Sequence, residues 1–190
     1  PPELGGSGNP SGPTARGVVR GMEAALAFRD KGSLAGKTVA VQGLGHVAEP
    51  MIGILIDRGV GRILGVDIDA ASVERVQSRF GDRVALDVRQ VAPGDQEILE
   101  AEADVVSPCA TGAVLDERTI PRIRAPIVCG AANNQLADPS VHDRLLAERG
   151  IVYVPDFLVN RMGIVNCADE ASGYVDDDSV FAAQLGDSWD

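Results

Sequence analysis

A chain of 190 residues, 45% hydrophobic and 24% charged, can bury one sizeable core with room for an appended segment. Its formal charge of −11 and the lack of a basic cluster with interleaved aromatics exclude a nucleic-acid surface, and no apolar run suits a membrane span or a signal peptide. Cys109, Cys129 and Cys167 have neither metal-ligand spacing nor even pairing, so they read as thiols of a reducing, cytoplasmic compartment with no metal.

Residues 1–13 are dense in Gly, Pro and Ser and read as an irregular lead-in from a preceding domain. Thr14 is expected at the N-cap or in the first turn of a helix over Ala15 to Phe28, where Val18, Val19, Met22, Ala25 and Leu26 recur at helical spacing. Gly17 and Gly21, four apart, would admit a close backbone approach by a helix or a ligand.

The next stretch carries the chemistry. Val39 and Val41 mark a β-branched strand that stops at Gly43, where a tight turn needs a residue without a Cβ. Gly45 would let the backbone approach a pyrophosphate, and Ala48 would keep the following helix near its strand. The N–H groups of the first helical turn would then face the phosphates. Pro50 fits only in that turn, where its missing N–H costs nothing. Asp67 follows Gly43 by 24 residues, at the end of a second strand over Ile63 to Val66, where a carboxylate can bind an adenosine ribose. A carboxylate there favours a free 2′-hydroxyl and repels a 2′-phosphate, so NAD is expected over NADP. A cap or turn role for Asp67 and Asp69 is the rival reading.

Asp69 is the expected N-cap of a helix to Phe80, and Val84-Ala85-Leu86 are expected to form a short third strand. The run Asp87 to Ala103 is ambiguous, with Ile98 and Leu99 in a short acidic helix. Asp104 to Pro108, Ile127 to Cys129 and Ile151 to Val154 complete six strands, with a helix over Val141 to Arg149 and a last one from about Gly163. The fold class is therefore α/β, a doubly wound, mostly parallel six-stranded sheet in the order 3-2-1-4-5-6 with helices on both faces. Loops after strands one, four, five and six, rich in Gly, Ala, Thr and Asn, line one crevice. Residues 14–170 form the dinucleotide-binding domain and 171–190 an acidic tail or helix.

His46 lies inside the glycine turn and points to the phosphates rather than to any reacting group; His142 heads a late helix as an exposed or capping residue. Cys109 has no basic partner to make it a nucleophile. Cys109, Ala110 and Thr111 after strand four, and Ala132 and Asn134 after strand five, border the cofactor groove; Asn160 follows strand six.

Gly5-Gly6-Ser7-Gly8-Asn9-Pro10-Ser11, Leu34-Ala35-Gly36-Lys37-Thr38-Val39-Ala40-Val41-Gln42-Gly43, Ala131-Ala132-Asn133-Asn134-Gln135-Leu136 and Tyr153-Val154-Pro155-Asp156-Phe157 resemble the leucine/phenylalanine/valine branch of the amino-acid dehydrogenases. The resemblance runs collinearly from Gly5 to about Glu170. It implies a Rossmann-type NAD-binding domain of an enzyme for reversible oxidative deamination of an L-amino acid to a 2-oxo acid and ammonia. It also implies a preceding domain that shares the substrate, and a homo-oligomer. By the same resemblance Thr14 and Asn134 lie near the nicotinamide, Gly43 to Val47 hold the pyrophosphate, Asp67 the ribose, Ala110 and Thr111 the groove, and Asn160 the substrate side. The family's catalytic lysine and aspartate belong to the preceding domain, and Lys31 and Lys37 are poor substitutes, so no catalytic residue is named here. Where the family usually reads Asn-Ala-Gly-Gly this chain has Asn160-Arg161-Met162-Gly163, which implies a narrowed, charged or altered substrate pocket. The alternatives are the cofactor domain of another two-domain NAD(P) dehydrogenase and a non-catalytic NAD-sensing module.

Overall fold

The computed structural model describes residues 9–164. The expectations for Cys167, for the body of a last helix and for the tail 171–190 lie outside the described residues. Six strands form one sheet: β1 (Thr38–Gln42), β2 (Arg62–Asp67), β3 (Ala85–Gln90), β4 (Val105–Pro108), β5 (Ile127–Val128) and β6 (Val152–Tyr153). Their order is β3-β2-β1-β4-β5-β6 and every neighbouring pair is parallel, as the pattern of buried runs and crossovers predicts.

Side-chain alternation divides the core. Val39 and Val41 of β1, Val105 of β4 and Ile127 of β5 face a layer made by α1 (Ser11–Phe28), α2 (Ala48–Asp57) and α3 (Ala70–Phe80). Ala40, Val106 and Val128 face the other layer, built from a 3₁₀ turn over Glu97–Glu100, the connection through Val114, Leu115 and Ile120, and α4 (Pro139–Glu148). A four-residue helix, α5 (Asp156–Val159), follows β6. Among the described residues no helix is long and apolar enough to cross a membrane.

The differences from expectation are local. Helix α1 starts at Ser11, whose N–H is capped by Asn9 Oδ1 at 3.0 Å, so Thr14 lies in its opening turns and not at its cap. Pro13 is tolerated because the first residues of a helix need no N–H donor. Strand β3 begins one residue late and runs on to Gln90, because this edge strand is half exposed and carries Asp87 and Arg89 among its apolar residues. Asp69 caps α3 as expected, accepting from the N–H groups of Ala71 and Ser72.

Gly17 and Gly21 serve a helix contact. A Cβ at Gly17 would lie 2.2 Å from the Val159 carbonyl oxygen, and one at Gly21 would lie 2.4 Å from Val159 Cγ1. Gly17→Ala is therefore expected to destabilise the fold. Its gain in helix propensity, about 1 kcal/mol, falls short of the roughly 1–3 kcal/mol of forced repacking against backbone. Gly53→Ala in α2 meets only Phe80 ring atoms at 3.7 Å and beyond, and should be neutral or stabilising. Urea midpoints of the two variants measure the opposite signs.

Candidate functional site

The strand order reverses at β1: the chain leaves β1 for β2 on one side, and β4 lies on the other. A crevice opens at the carboxyl ends of the strands there. Small residues lock its walls together rather than only leaving room. Gly43 has φ +91°, and a Cβ on it would lie 2.8 Å from Ala110 Cβ and 2.9 Å from the Ala110 backbone. Cβ atoms at Gly112 and Gly130 would meet the carbonyl oxygens of Asn133 at 2.6 Å and Pro108 at 2.1 Å. The Ala113 N–H donates to the Asn134 carbonyl at 2.7 Å, joining the loops after β4 and β5.

Gly45 is different, because nothing lies within 4 Å of the position its Cβ would take. The N–H groups of Gly45, His46 and Val47 have no hydrogen-bond partner among the described residues, and α2 begins directly after them. Three successive free donors at a helix start, beside open space, form a cradle for a phosphate. His46 is exposed in that turn.

Leu44 anchors the turn at three points. Its N–H donates to Asp67 Oδ2 at 2.6 Å, its carbonyl accepts from Arg75 Nη2 at 3.2 Å, and its side chain is fully buried. Asp67 Oδ1 accepts the Asp69 N–H at 2.8 Å. Asp67 thus braces the glycine turn, the role that the rival reading gave it, from the carboxyl end of β2. Arg75 also donates to Glu49 at 2.8 Å and to Ser72, and Arg79 holds the other Glu49 oxygen. Burial alone would raise the Glu49 carboxyl, but the hydrogen bonds from Arg79 and Arg75 outweigh it and hold it below the ordinary carboxylate value.

Beside Asp67 lies a cleft of about 250 Å³. Val66, Ile68, Val91, Pro93, Ala110 and Val114 give it apolar walls, and Gln42 and Gly43 its inner end. Of these, Ile68, Val91, Pro93 and Val114 were not singled out by the sequence. Val91 and Pro93 come from the ambiguous stretch after β3, whose course no periodicity indicates.

Asn134 adopts φ 52°, and its N–H donates to Asp156 Oδ2 at 2.8 Å. The other Asp156 oxygen accepts from the Tyr153 hydroxyl at 3.2 Å. Burial, with the Asp156 charge beside it, pushes the Tyr153 phenol up, so it stays a donor. The side-chain amide of Asn134 makes no hydrogen bond among the described residues and sits at the edge of a second cleft of about 370 Å³, with Tyr153 and Phe157. Asn160 Nδ2 donates to Asn133 Oδ1 at 2.7 Å and to the Ala131 carbonyl, tying the β6 loop to the β5 loop. Ala132 is buried, its N–H on the Pro108 carbonyl, and Thr111 is exposed on the β4 loop. Thr14 is buried; its hydroxyl donates to the Pro10 carbonyl at 2.8 Å, which leaves oxygen lone pairs as its remaining capacity.

Four expectations are corrected or sharpened. Met162 is buried against α1, with Cγ 3.5 Å from where a Gly17 Cβ would stand, while Arg161 is exposed, so of the two only Arg161 presents its side chain to solvent. His142 is buried rather than exposed, Nδ1 accepting the Asp138 N–H at 2.9 Å in the cap of α4 and Nε2 3.4 Å from Glu117. Burial pushes the Cys109 thiol up despite a contact with Ser107 Oγ, so it is no activated nucleophile. Both lysines of the chain sit on the α1–β1 connection, Lys37 beside Asp104 at 3.5 Å, and a strand of this length puts them about 15 Å from the crevice.

Comparison with known proteins agrees with this geometry. Residues 5–179 match the Glutamate/Leucine/Phenylalanine/Valine dehydrogenase family. A leucine dehydrogenase of Thermoactinomyces intermedius is 43% identical over 175 residues, which are 91% of this chain and 45% of that protein. The crystal structure of L-tryptophan dehydrogenase from Nostoc punctiforme superposes with a TM-score of 0.81 at 37% identity, covering 92% of this chain and 50% of that one. A hetero-hexameric glutamate dehydrogenase from Thermus thermophilus gives 0.71 at 26% identity, covering 96% and 46%. The chain spans about half the length of the relatives it matches. With its six-stranded parallel sheet and its glycine turn, it belongs to the Glutamate/Leucine/Phenylalanine/Valine dehydrogenase family, of which it is an NAD-binding domain.

Proposed function

We propose that this chain holds NAD for an L-amino-acid dehydrogenase that reversibly converts an L-amino acid to a 2-oxo acid and ammonia, the substrate being shared with a preceding domain in a longer protein. The carrying observation is the row of free N–H groups at Gly45, His46 and Val47 beside open space. In this reading those donors bind the pyrophosphate, with Gly43 shaping the turn. Asp67 takes the adenosine hydroxyls while it braces Leu44. The apolar cleft beside it, walled by Ile68, Val91 and Pro93, takes the adenine, and Cys109, Ala110, Thr111 and Ala132 line the groove by backbone and small side chains. Asn134, whose backbone Asp156 fixes, offers its free amide to the nicotinamide carboxamide, with the Thr14 oxygen as a second acceptor. Asn160 stands on the substrate side. When bound, NAD supplies the hydride acceptor.

Proton transfer and stabilisation of the imine fall to groups outside this chain, since its two lysines are at the wrong end of the sheet. An NAD-sensing module would need Arg161 and Met162 to close the substrate side, and Met162 is committed to α1. The longer protein is expected to work in the cytoplasm as a homo-oligomer. NAD reduction by that protein, across aliphatic, aromatic and acidic L-amino acids and with the 190-residue chain alongside, tests the proposal. Turnover is expected from the longer protein and NAD binding without turnover from the chain. Turnover by the chain would refute the placement of the catalytic lysine; NAD binding without activity in the longer protein would leave a binding module.

A further inference from the structure

The fold assembles a positive cleft from arginines that lie far apart in the sequence. At the amino ends of β5 and β6, the end of the sheet opposite the glycine turn, a cleft of about 500 Å³ is lined by Arg29, Arg122, Arg124 and Arg149. Arg29 follows α1, Arg149 follows α4, and Arg122 and Arg124 belong to the connection that enters β5. The remaining walls are small or apolar apart from Glu100.

Carboxylates balance only half of this charge. Arg122 Nη1 pairs with Glu100 at 2.6 Å, and Arg124 Nη1 with Glu102 at 2.7 Å. Arg29 and Arg149 have no carboxylate partner among the described residues. Arg29 Nη1 donates to the Gly150 carbonyl at 2.6 Å, and Arg149 Nη2 to the Ile123 carbonyl at 3.0 Å. These two bonds tie the end of α1 to the end of α4, and the end of α4 to the β5 connection. Each holds its guanidinium in place by a single nitrogen, so most of the five N–H donors of each fork stay unused. A carbonyl needs only a neutral donor, which a glutamine would supply without gathering like charges. The carboxyl-terminal dipoles of α1 and α4 offset roughly half a charge each, which leaves the cleft positive in a chain of formal charge −11.

We propose that this cleft is a second ligand site, separate from the NAD crevice, which takes a small multivalent anion ending in a phosphate group. Guanidinium forks bind phosphate oxygens in pairs, and a cleft of this size holds a ligand larger than a single ion. A terminal phosphate carries roughly 1.5–2 negative charges at pH 7, which matches the two uncompensated guanidiniums. NAD has only internal phosphates with one charge each and is not the expected occupant.

The test is an amide-resolved NMR titration of the 190-residue chain with inorganic triphosphate at constant ionic strength, with and without saturating NAD. Saturable shifts are expected at Ile123, Gly150 and Ile151 in both cases. The double variant Arg29→Gln, Arg149→Gln should bind triphosphate at least about tenfold more weakly, the size of one lost charged contact, with NAD affinity unchanged. Arg124→Gln, whose ion pair is exposed, should do the same should the double variant fold poorly by its urea midpoint. A nucleoside triphosphate added to the NAD-saturated chain separates two sources of the ligand. Tighter binding than inorganic triphosphate assigns the site to a nucleotide, and equal or weaker binding to a free polyphosphate. Shifts that do not saturate, or that chloride reproduces at the same ionic strength, would overturn the proposal. So would shifts confined to the glycine turn, or wild-type triphosphate affinity in the folded variants.

Discussion

Gly45→Ala is expected to fold like the wild type and to bind NAD about 10- to 100-fold more weakly, a loss of roughly 1.4–3 kcal/mol. The added methyl meets no protein atom within 4 Å, and Gly45 is not among the glycines with positive φ. It would stand in the space over the three free N–H groups, where a pyrophosphate must approach the backbone. Gly43→Ala, two residues earlier, should fail for another reason. Its φ of +91° disfavours any L side chain, and its Cβ would sit 2.8–2.9 Å from three Ala110 atoms. Left-handed backbone at about 1–2 kcal/mol and overpacking at about 1–3 kcal/mol together take a large share of a typical domain stability of roughly 5–15 kcal/mol. Denaturant unfolding and NAD titration of both variants separate the two roles: an intact fold with weak binding for Gly45→Ala, a weakened fold for Gly43→Ala. A Gly45→Ala chain with wild-type affinity would contradict the phosphate role of the turn.

Asp67→Ala should lose on both counts at once. Its carboxylate accepts from the N–H of Leu44, a residue with no exposed surface, and from that of Asp69. The exposed Asp69 donor can turn to water, whereas the Leu44 donor would be left unpaired at about 1–3 kcal/mol. Arg75 still grips the Leu44 carbonyl, so the turn should slacken without collapsing. Cofactor preference should move further than stability. Removing the charge takes away both the ribose acceptor and the repulsion of a 2′-phosphate. NAD affinity is expected to fall by about tenfold or more while NADP affinity holds or rises, a range set by one charged hydrogen bond. Parallel titrations with the two cofactors measure the ratio; an unchanged ratio would mean that Asp67 only braces Leu44.

The glycine turn and the strand order were legible because they depend on local chemistry. Gly43 must take positive φ, Val39 and Val41 must bury, and Asp69 must cap, whatever surrounds them. What was not legible depends on tertiary neighbours. Only the docking of Val159 decides that Gly17 and Gly21 receive a helix and not a ligand, and only α1 explains where Met162 goes. Asp156 reads as one more acid in a loop until the fold brings it to the Asn134 N–H and the Tyr153 hydroxyl. The cleft walls at Val91 and Pro93 come from a segment without periodicity, and Gln42 reads as an ordinary strand end until its burial is known. Helix α1 hid its start behind Gly12 and Pro13, residues that usually mark loops.

The measurement that bears most directly on this account is an amide-resolved NMR titration of the 19.8 kDa chain with NAD. Saturable shifts are expected, largest at Gly45, His46 and Val47 and reaching Ile68 on one side of the crevice and Asn134 on the other. Shifts centred instead at the amino end of the sheet, on the cleft of about 500 Å³ lined by Arg29, Arg122, Arg124 and Arg149, would contradict it. So would the absence of any saturable shift.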